Sequence, residues 1–441
     1  MNSRPALDRP IGLLHATAMV AGIIIGASIF VQPSEINRHV PTPTGVILVW
    51  LVAGVLTLFG SLVCAELSSA FPQTGGVYVF LKETLSPECG FLWGWAMFWS
   101  VHSGIIAASS VIFARYVAVF VPLGEGGIRA VAMAGILLLS AINYRGVRHG
   151  SGLQTAVTCA KVAAIAVLLV MVFAFAPALP SAAATPAAVP PREFILGVSA
   201  SLFAFGGWHM VAYSSGETRD PQRTIPRALL IGSFLVTACY VALNAAYLRL
   251  LPIARVVSST RVAADAAEAI AGPSGERLVS ALVILSAVGV LNGVILAGPR
   301  MYYAMAGEGL AFSWLGRVHP RFHTPHTATA LQAIWSCVLV ATGTYRALYT
   351  RVVYTEWLFF ALMAFGLLRL RRRPGYTPVY SAWAYPVTPI VFAVSAIVVA
   401  VISITADPWR AAAGLGLVVL GLPVYRLWVR GRRPKALHAD H

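Results

Sequence analysis

Two apolar stretches of the chain are interrupted by glycine at corresponding places. The first reads GIIIGASIF over residues 22–30, and the second reads FAFGGW over residues 203–208. A helix that crosses a bilayer should be continuous, because freed backbone N–H and C=O groups find no water in hydrocarbon. A break is tolerated where the loosened backbone is buried in protein or lines a cavity. Paired breaks in the two halves of a membrane protein are typical of a transporter's substrate site.

The first break exposes backbone groups of opposite polarity. If the helix breaks near Gly26, the carbonyls of Ile23 and Ile24 become free to accept hydrogen bonds from an ammonium group. The half-helix that starts at Gly26, Ala27 and Ser28 presents free N–H groups and the positive end of its dipole, which suit a carboxylate. One broken helix can thus hold both ends of an amino-acid zwitterion. Close helix packing through small residues explains this span alone equally well.

The second break favours the binding-site interpretation. The glycine pair at 206–207 loosens the carbonyls that precede it, namely those of Phe203, Ala204 and Phe205. The ring of Phe203 could close over a bound molecule as an aromatic gate, although packing alone also explains a single phenylalanine. The predicted site therefore combines backbone from both breaks, with Gly206 as its second hinge.

Two titratable side chains within the predicted spans need an explanation. A charge as deep as that of Lys161 costs roughly 2.5–3.5 kcal/mol on insertion scales, so this lysine should have a partner or a function. Its ammonium either bridges the first, fifth and eighth spans or reaches the inner surface. His209 directly follows the second break and is the stronger of two histidines, with His102, to titrate during a reaction cycle. No acid is found near either break, so the site should favour neutral over cationic side chains.

The composition excludes a soluble protein. Of 441 residues, 58% are hydrophobic and 11% are charged, against about 25% charged residues in a soluble domain. A span needs about 20 apolar residues, and twelve such spans are predicted. They cover residues 12–35, 45–70, 88–121, 128–146, 154–177, 193–217, 227–251, 277–305, 327–345, 352–370, 384–405 and 410–429. The chain is therefore predicted to be an all-α integral membrane protein.

The net charge of +16 indicates how the chain is oriented in the membrane and does not indicate nucleic-acid binding. With the N-terminus inside, the inner segments hold about twice as many Lys and Arg residues as the outer ones, which fits the positive-inside rule. Both termini are predicted to face the cytoplasm of a protein in the cell (inner) membrane. The partners are a small-molecule substrate and the lipid bilayer, and no nucleic acid.

The spans form two units of five, each of which begins with a broken span. Because the number of spans per unit is odd, the second unit must be inserted upside down, which makes an inverted repeat. The predicted divisions are a cytoplasmic N-terminus (1–11), the first repeat (12–177), the second repeat (193–370), helices 11 and 12 (384–429) and a basic cytoplasmic tail (430–441).

Nothing in the sequence indicates an enzyme. Five cysteines are scattered through apolar sequence without metal spacing or a disulfide framework. Neither acid–base residues nor metal ligands converge on one face. We therefore predict no catalytic residue, no metal and no cofactor.

Four blocks carry a family resemblance. They are GIIIGASIFVQPSEI (22–36), AELSSAFPQTGGVYVFL (65–81), FAFGGWHMVAYSSGETRDPQRTIPRAL (203–229) and GPRMYYAMAGEGLAFSWLGRVHPRFHTPHTATAL (298–331). In this order and spacing they resemble the amino acid–polyamine–organocation (APC) superfamily, most closely its L-type amino-acid transporter branch and bacterial relatives. The resemblance implies a LeuT-like fold with broken helices 1 and 6, and transport by alternating access.

The resemblance also assigns residues. The positions that would bind the substrate backbone are Ile24, Gly26, Ala27, Ser28, Phe203, Ala204, Phe205 and Gly206. Lys161 matches a lysine of sodium-independent relatives and would take the place of a sodium ion, and loop 219–227 matches a segment involved in the inward-closed state. The usual Gly-Ser-Gly or Gly-Thr-Gly is Gly-Ala-Ser here, so Ser28 adds a side chain beside the expected carboxylate.

The sequence thus predicts a sodium-independent carrier for neutral L-amino acids that works by exchange or proton coupling. Alternatives are a cationic amino-acid or polyamine carrier and a non-transporting amino-acid receptor. The external loop after the third span has no cysteine, so no disulfide-linked accessory subunit is expected. Side-chain preference is assigned to a further group, Trp99, His102, Asn292 and Trp357.

Overall fold

All twelve predicted spans coincide with helices in a computed structural model, which describes residues 8–30, 32–175, 189–259, 262–406 and 408–430. Nine helical runs in these ranges are long and apolar enough to cross a membrane. The other three predicted spans are the broken first span, which begins with the helix Leu13–Ile24, and the helices His326–Thr342 (17 residues) and Tyr345–Leu370 (26 residues). The fifth and tenth spans begin at Val147 and Tyr345, earlier than predicted.

The described residues form helices, and no β-strand is found among them. They are α1 (Leu13–Ile24), α2 (Gln32–His39), α3 (Pro43–Ala70), α4 (Val77–Thr84), α5 (Pro87–Ala96), α6 (His102–Val117), α7 (Glu125–Tyr144), α8 (Val147–Phe175), α9 (Pro191–Ala204), α10 (Pro221–Leu250), α11 (Ile253–Ser258), α12 (Val262–Ala271), α13 (Pro273–Gly307), α14 (His326–Thr342), α15 (Tyr345–Leu370), α16 (Val387–Ala406), α17 (Pro408–Val419) and α18 (Gly421–Arg430). Short 3₁₀ segments lie at Ala27–Phe30, Trp208–Glu217 and Ser313–Gly316.

Local sequence explains where these helices start. The side chain of Thr42 caps α3 by accepting a hydrogen bond from the amide of Gly45 at 3.2 Å, and Ser86 caps α5 in the same way through Cys89. Both caps are followed by proline, whose missing N–H costs nothing in the first turn of a helix.

The first and sixth spans are broken as predicted. Helix α1 ends at Ile24, the next residue leaves helical geometry (φ −69°, ψ 83°), and a 3₁₀ turn starts at Ala27. Helix α9 ends at Ala204, and Gly207 adopts a left-handed conformation (φ 96°) before the next 3₁₀ segment. The broken helices pack on α10 and α3, and α13 packs on α6 and α8. Twelve spans, two broken helices and an inverted pair of five-helix units make a LeuT-like fold.

The third span contains a π-helical turn. Helices α5 and α6 are joined without interruption by Met97–Val101, where the hydrogen bonds follow the wider π pattern. A π turn inserts one extra residue into a helix and often lies at a functional site. In this chain the turn precedes the part of α6 that faces the centre of the bundle.

On the side of the N-terminus, hydrogen bonds and an ion pair hold the segment that follows the second break. The amide of Ile11 donates to the carbonyl of Glu217 (3.1 Å), and the amide of Arg219 donates to the carbonyl of Ile11 (2.9 Å). The fully buried carboxylate of Glu217 accepts two hydrogen bonds from Arg300, at 2.5 and 3.0 Å. The segment after the second break is therefore tied both to the N-terminal residues and to α13.

A second ion pair joins the buried carboxylate of Glu66 on α3 to Arg371, which directly follows α15 and is 18% exposed. Arg371 donates to both carboxylate oxygens of Glu66, at 2.6 and 2.5 Å. The hydrogen bond to Glu66 raises the pKa of Arg371 above its ordinary value. Glu66 also accepts from the amide of Ala382 (2.7 Å), so this carboxylate organises the connection between α15 and α16.

Candidate functional site

A cavity of about 260 Å³ lies between the two helix breaks. Its walls come from both broken spans, from α6, from α13 and from α15. Seven of the eight predicted binding residues line it: Ile24, Gly26, Ala27, Ser28, Phe203, Ala204 and Gly206. The two glycine interruptions, 180 positions apart in the sequence, therefore meet at one cavity.

The eighth predicted residue, Phe205, lies behind the cavity wall. Its side chain is buried against Trp50 and Tyr240, with ring centroids 6.1 and 5.0 Å away. The ring thus packs the second break against α3 and α10, and its side chain does not face the cavity. Phe203, the predicted gate, does line the cavity.

Glycine is required at the breaks because neighbouring side chains approach closely. A Cβ atom on Gly207 would lie 2.4 Å from Cγ2 of Ile23, and its φ of 96° is one that other L-residues rarely adopt. A Cβ atom on Gly26 would lie 2.9 Å from Cγ2 of Val290 on α13. The two broken spans are therefore in direct contact, and the first also touches α13 at the cavity.

Lys161 bridges three helices at the first break. Its ammonium donates to the carbonyls of Gly22 (2.9 Å) and Ile25 (2.7 Å), and reaches the carbonyl of Ser286 on α13 at 3.4 Å. The side chain is fully buried. Of the two sequence-based interpretations, the structure adopts the bridge between spans 1, 5 and 8. The ammonium satisfies two carbonyls that the end of α1 leaves without helical partners.

Tyr240 on α10 also binds backbone carbonyls at the breaks, and it was not predicted from the sequence. Its hydroxyl lies 2.8 Å from the carbonyl of Ile24 and 3.1 Å from that of Ala204. One hydroxyl thus touches the last helical residue before each break. Little in the sequence pointed to it, because Tyr240 is one of several polar residues in this span.

Glu356 on α15 lines the cavity, so the expectation that no acid lies near the breaks was wrong. Its carboxylate oxygen is 3.7 Å from Nε2 of His209, and the residue is 7% exposed. Sequence reasoning placed the start of this span at 352, which put Glu356 near a membrane surface. Because α15 begins at Tyr345, Glu356 lies about 16 Å along the helix at 1.5 Å per residue.

His209, the other predicted coupling residue, is enclosed by aromatic rings. Trp93, Trp208, Tyr213 and Phe360 all have ring centroids within 5.7 Å of the imidazole. Both ring nitrogens are buried without a hydrogen-bond partner among the described residues. Among the described residues, the charged group that contacts this imidazole is the carboxylate of Glu356, at 3.7 Å.

Of the four residues assigned to side-chain preference, Trp357 lines the cavity. Asn292 instead bonds to Asn143 and Gln154 in an amide network between α7, α8 and α13. His102 contacts the hydroxyl of Tyr302 at 3.2 Å. The ring of Trp99 packs on other aromatic rings, those of Trp95, Phe98 and Trp335. These three residues pack or bond around the site and are absent from its wall.

Comparison with known proteins gives one consistent result. The sequence profile of the amino acid permease family matches residues 11–419. The serine/threonine exchanger SteT of Bacillus subtilis (strain 168) is 30% identical over 95% of this chain and 96% of its own length. The Asc-type amino acid transporter 1 of Mus musculus is 30% identical over 99% and 84%. The cystine/glutamate transporter of Homo sapiens is 26% identical over 96% and 86%.

Proposed function

This chain belongs to the amino acid permease family, within the L-type branch of the APC superfamily and its bacterial relatives, and we propose that it exchanges neutral L-amino acids across the cell (inner) membrane without sodium. It is a multi-pass membrane protein that transports amino acids, and its relatives are transporters and not enzymes. The observation that carries the proposal is the meeting of both helix breaks at one cavity.

The breaks offer complementary groups to a zwitterion. The turn that starts at Ala27 and Ser28 presents backbone N–H groups to the cavity and suits a carboxylate. The backbone carbonyl of Phe203, which lines the same cavity, suits the α-ammonium. The carbonyl of Ile24 already accepts from the amide of Gly26 (2.7 Å) and the hydroxyl of Tyr240 (2.8 Å). The binding residues in this proposal are the seven cavity-lining ones, with Phe205 as backbone and packing support and Phe203 as the gate.

Sodium independence is supported by the contacts of Lys161. A fixed ammonium already donates to Gly22 and Ile25, so the end of α1 needs no metal ion to neutralise its carbonyls. Exchange is supported by the name of the Bacillus relative, a serine/threonine exchanger. Coupling to protons through Lys161 or His209 is the alternative within the same site.

Alternating access is supported by the closed N-terminal side. To open that side, the hydrogen bonds between Ile11 and the segment around Glu217 must break, together with the ion pair between Glu217 and Arg300. These groups would then be the gate that releases substrate on the side of the N-terminus. We place both termini in the cytoplasm, because the positive-inside rule assigns the basic segments to that side.

The limits of the repeats also belong to this proposal. We assign residues 12–177 and 193–370 to the two repeats and 384–429 to the last two helices. The tail at 430–441 lies almost wholly outside the described residues. We further propose that no disulfide-linked accessory subunit is needed, because the loop after the third span, 118–124, carries no cysteine.

A second candidate is a carrier for cationic amino acids. It is favoured by one observation, the carboxylate of Glu356 on the cavity wall, because an acid without a cation can pair with an ammonium or guanidinium of the substrate.

The test is uptake of labelled amino acids into proteoliposomes that contain the purified protein. Uptake is measured with sodium or choline outside, with empty or amino-acid-loaded vesicles, and with or without a pH gradient. We expect uptake of neutral L-amino acids only into loaded vesicles, at the same rate in sodium and choline. Preference for lysine or arginine would support the second candidate instead.

Three outcomes contradict the proposal. Dependence on external sodium would remove the role of Lys161 as a permanent substitute for the ion. Uptake driven by an acidic exterior into empty vesicles would replace exchange by proton coupling. Binding of amino acids without any flux would identify a receptor.

A further inference from the structure

A second cavity, of about 290 Å³, lies on the side of the bundle opposite to the N-terminus. It is formed where α6 and α14 end and α7 begins, and its charged residues are Arg115, Glu125 and Arg129. The proposed transport cycle uses none of these three residues. We propose that this cavity binds the phosphate group of an anionic phospholipid from the leaflet on this side of the membrane.

The ends of three spans place this cavity at a membrane boundary. Helix α6 ends at Val117 and α7 begins at Glu125, so the short loop 118–124 connects the third and fourth spans outside the hydrocarbon. Helix α14 ends at Thr342 on the same side. Because a span covers about 30 Å of hydrocarbon between its ends, charged side chains at these ends lie near the phosphates of the lipid headgroups.

The charges of the cavity are not balanced within the protein. The guanidinium group of Arg115 lies 3.6 Å from the carboxylate of Glu125. No carboxylate lies within ion-pair distance of Arg129 in the described part of the chain. Two guanidinium groups and one carboxylate leave one positive charge, which the single negative charge of a phosphodiester neutralises. The planar guanidinium group also matches the geometry of phosphate oxygens. A phosphate held by both arginines would connect α6 to α7.

The apolar part of the lining favours a lipid over a soluble anion. Val111 of α6, Ile128 of α7 and Val340 of α14 line the same cavity. Ile334 and Val338 are exposed on α14 and lie four residues apart, so they share one face of the helix. This face leads towards the cavity, and exposed apolar side chains on a span contact lipid tails. A lipid can therefore place its phosphate between the arginines and an acyl chain along α14.

The first experiment measures lipid binding to the delipidated, unmodified protein in detergent by native mass spectrometry. Phosphatidylglycerol, which has one net negative charge, is compared with phosphatidylcholine, which carries the same phosphate beside a fixed cation. We expect the first phosphatidylglycerol to bind at least about fivefold more tightly than the first phosphatidylcholine. This factor corresponds to about 1 kcal/mol, the attraction between an anionic lipid and one arginine near a membrane surface.

The second experiment assigns this preference to the cavity. Arg115→Gln and Arg129→Gln should each weaken phosphatidylglycerol binding about fivefold. Glu125→Gln removes the competing negative charge and should strengthen it. The matched control is Arg192→Gln at the start of α9, on the same side of the bundle. Arg192 also lies near a carboxylate, that of Glu193 at 3.5 Å, but it does not line the cavity, so its replacement should leave binding unchanged.

A third measurement separates a lipid from a soluble anion. Glycerophosphoglycerol is the headgroup of the same lipid without acyl chains, and in excess it should not displace phosphatidylglycerol. Complete displacement would overturn the assignment to a lipid, because the phosphate alone would then account for binding.

The remaining outcomes also decide the proposal. Equal binding of the two lipids by the unmodified protein would overturn the site. Unchanged binding in both arginine variants would overturn it too, as would a loss in Arg192→Gln as large as in Arg129→Gln, because the whole surface would then attract the lipid. The comparison of lipids on the unmodified protein stands even if a variant does not fold. Since none of these measurements needs transport, their result is independent of the proposed function.

Discussion

Replacement of Lys161 by methionine should abolish transport while it leaves the fold intact. Methionine has a similar unbranched stem but no ammonium group. In the structure that ammonium donates to the carbonyls of Gly22 and Ile25, at 2.9 and 2.7 Å. Both carbonyls belong to the end of α1, directly before the first break. The substitution therefore acts on the backbone geometry of the binding site.

The size of the effect follows from these two hydrogen bonds. A buried carbonyl that loses its donor costs about 1–3 kcal/mol, so two cost at least about 2 kcal/mol. At 1.36 kcal/mol for each factor of ten, the binding-competent geometry becomes at least about 30-fold rarer. The global stability changes much less, because removal of a buried charge relieves a desolvation penalty of several kcal/mol. We therefore expect the variant to lose transport without a comparable loss of stability.

Two measurements test this separation. Exchange of a labelled neutral amino acid in loaded proteoliposomes should fall at least about 30-fold for Lys161→Met, and the thermal midpoint in detergent should stay within a few degrees. Thr158→Val is the graded control on the same helix, because it removes one neutral hydrogen bond, to the carbonyl of Ala18 at 3.0 Å. A bond of this kind contributes about 0.5–1.5 kcal/mol, so its loss of rate should stay near or below tenfold.

The reasoning fails if Lys161→Met transports within about threefold of the unmodified rate. It also fails if the variant loses transport only because it unfolds, since the lysine would then support the fold and not the site. A Thr158→Val variant as inactive as Lys161→Met would show that any contact between α8 and α1 matters equally, which the two kinds of hydrogen bond do not predict.

Three further predictions follow from the described contacts. Tyr240→Phe removes the hydroxyl that touches both breaks and should weaken the apparent substrate affinity about tenfold, which corresponds to one hydrogen bond of about 1.4 kcal/mol. The control Tyr247→Phe removes a buried hydroxyl that has no partner among the described residues and should leave the affinity unchanged. Gly26→Leu should abolish binding in a protein that still elutes as one species, and normal affinity would contradict the site. Arg371→Gln removes the cation from the buried carboxylate of Glu66, which keeps the amide of Ala382 as a donor, and should cost about 1–3 kcal/mol of stability, visible as a lower thermal midpoint that a second substitution, Glu66→Gln, partly restores. Equal midpoints for the single and double variants would contradict the ion-pair argument.

The breaks and spans were predictable because they are local. Apolar length decides where a helix crosses hydrocarbon, and glycine within such a run marks the place where it opens. These two rules predicted all twelve helices and placed seven residues on the cavity wall. They also located Lys161, because a charge at that depth needs a partner and the end of the broken helix offers carbonyls.

The sequence does not show how distant spans pack against each other. Glu356 is 147 positions after His209, and no periodicity shows that α15 lies against the second break. Its depth was misjudged because the start of α15 carries arginine and tyrosine, which blur the apolar edge of the span. Tyr240 was missed for a related reason, since a tyrosine in a membrane span does not show what its hydroxyl touches.

The π turn at Met97–Val101 fixes which residues of α6 form a cavity wall. A π turn takes up one extra residue, so the helix after it keeps its course while its sequence is shifted by one position. Ile105, Ser109 and Ile112, which line the cavity, are the residues that this shift brings to the wall. If the turn closed to regular α-helix with all its residues retained, the residues after it would rotate by about 100° at 3.6 residues per turn and present another face of α6 to the substrate. Deletion of one residue within the turn would instead keep the same side chains on the wall, so a one-residue gap at this point among related permeases marks loss of the turn and not a change of binding surface.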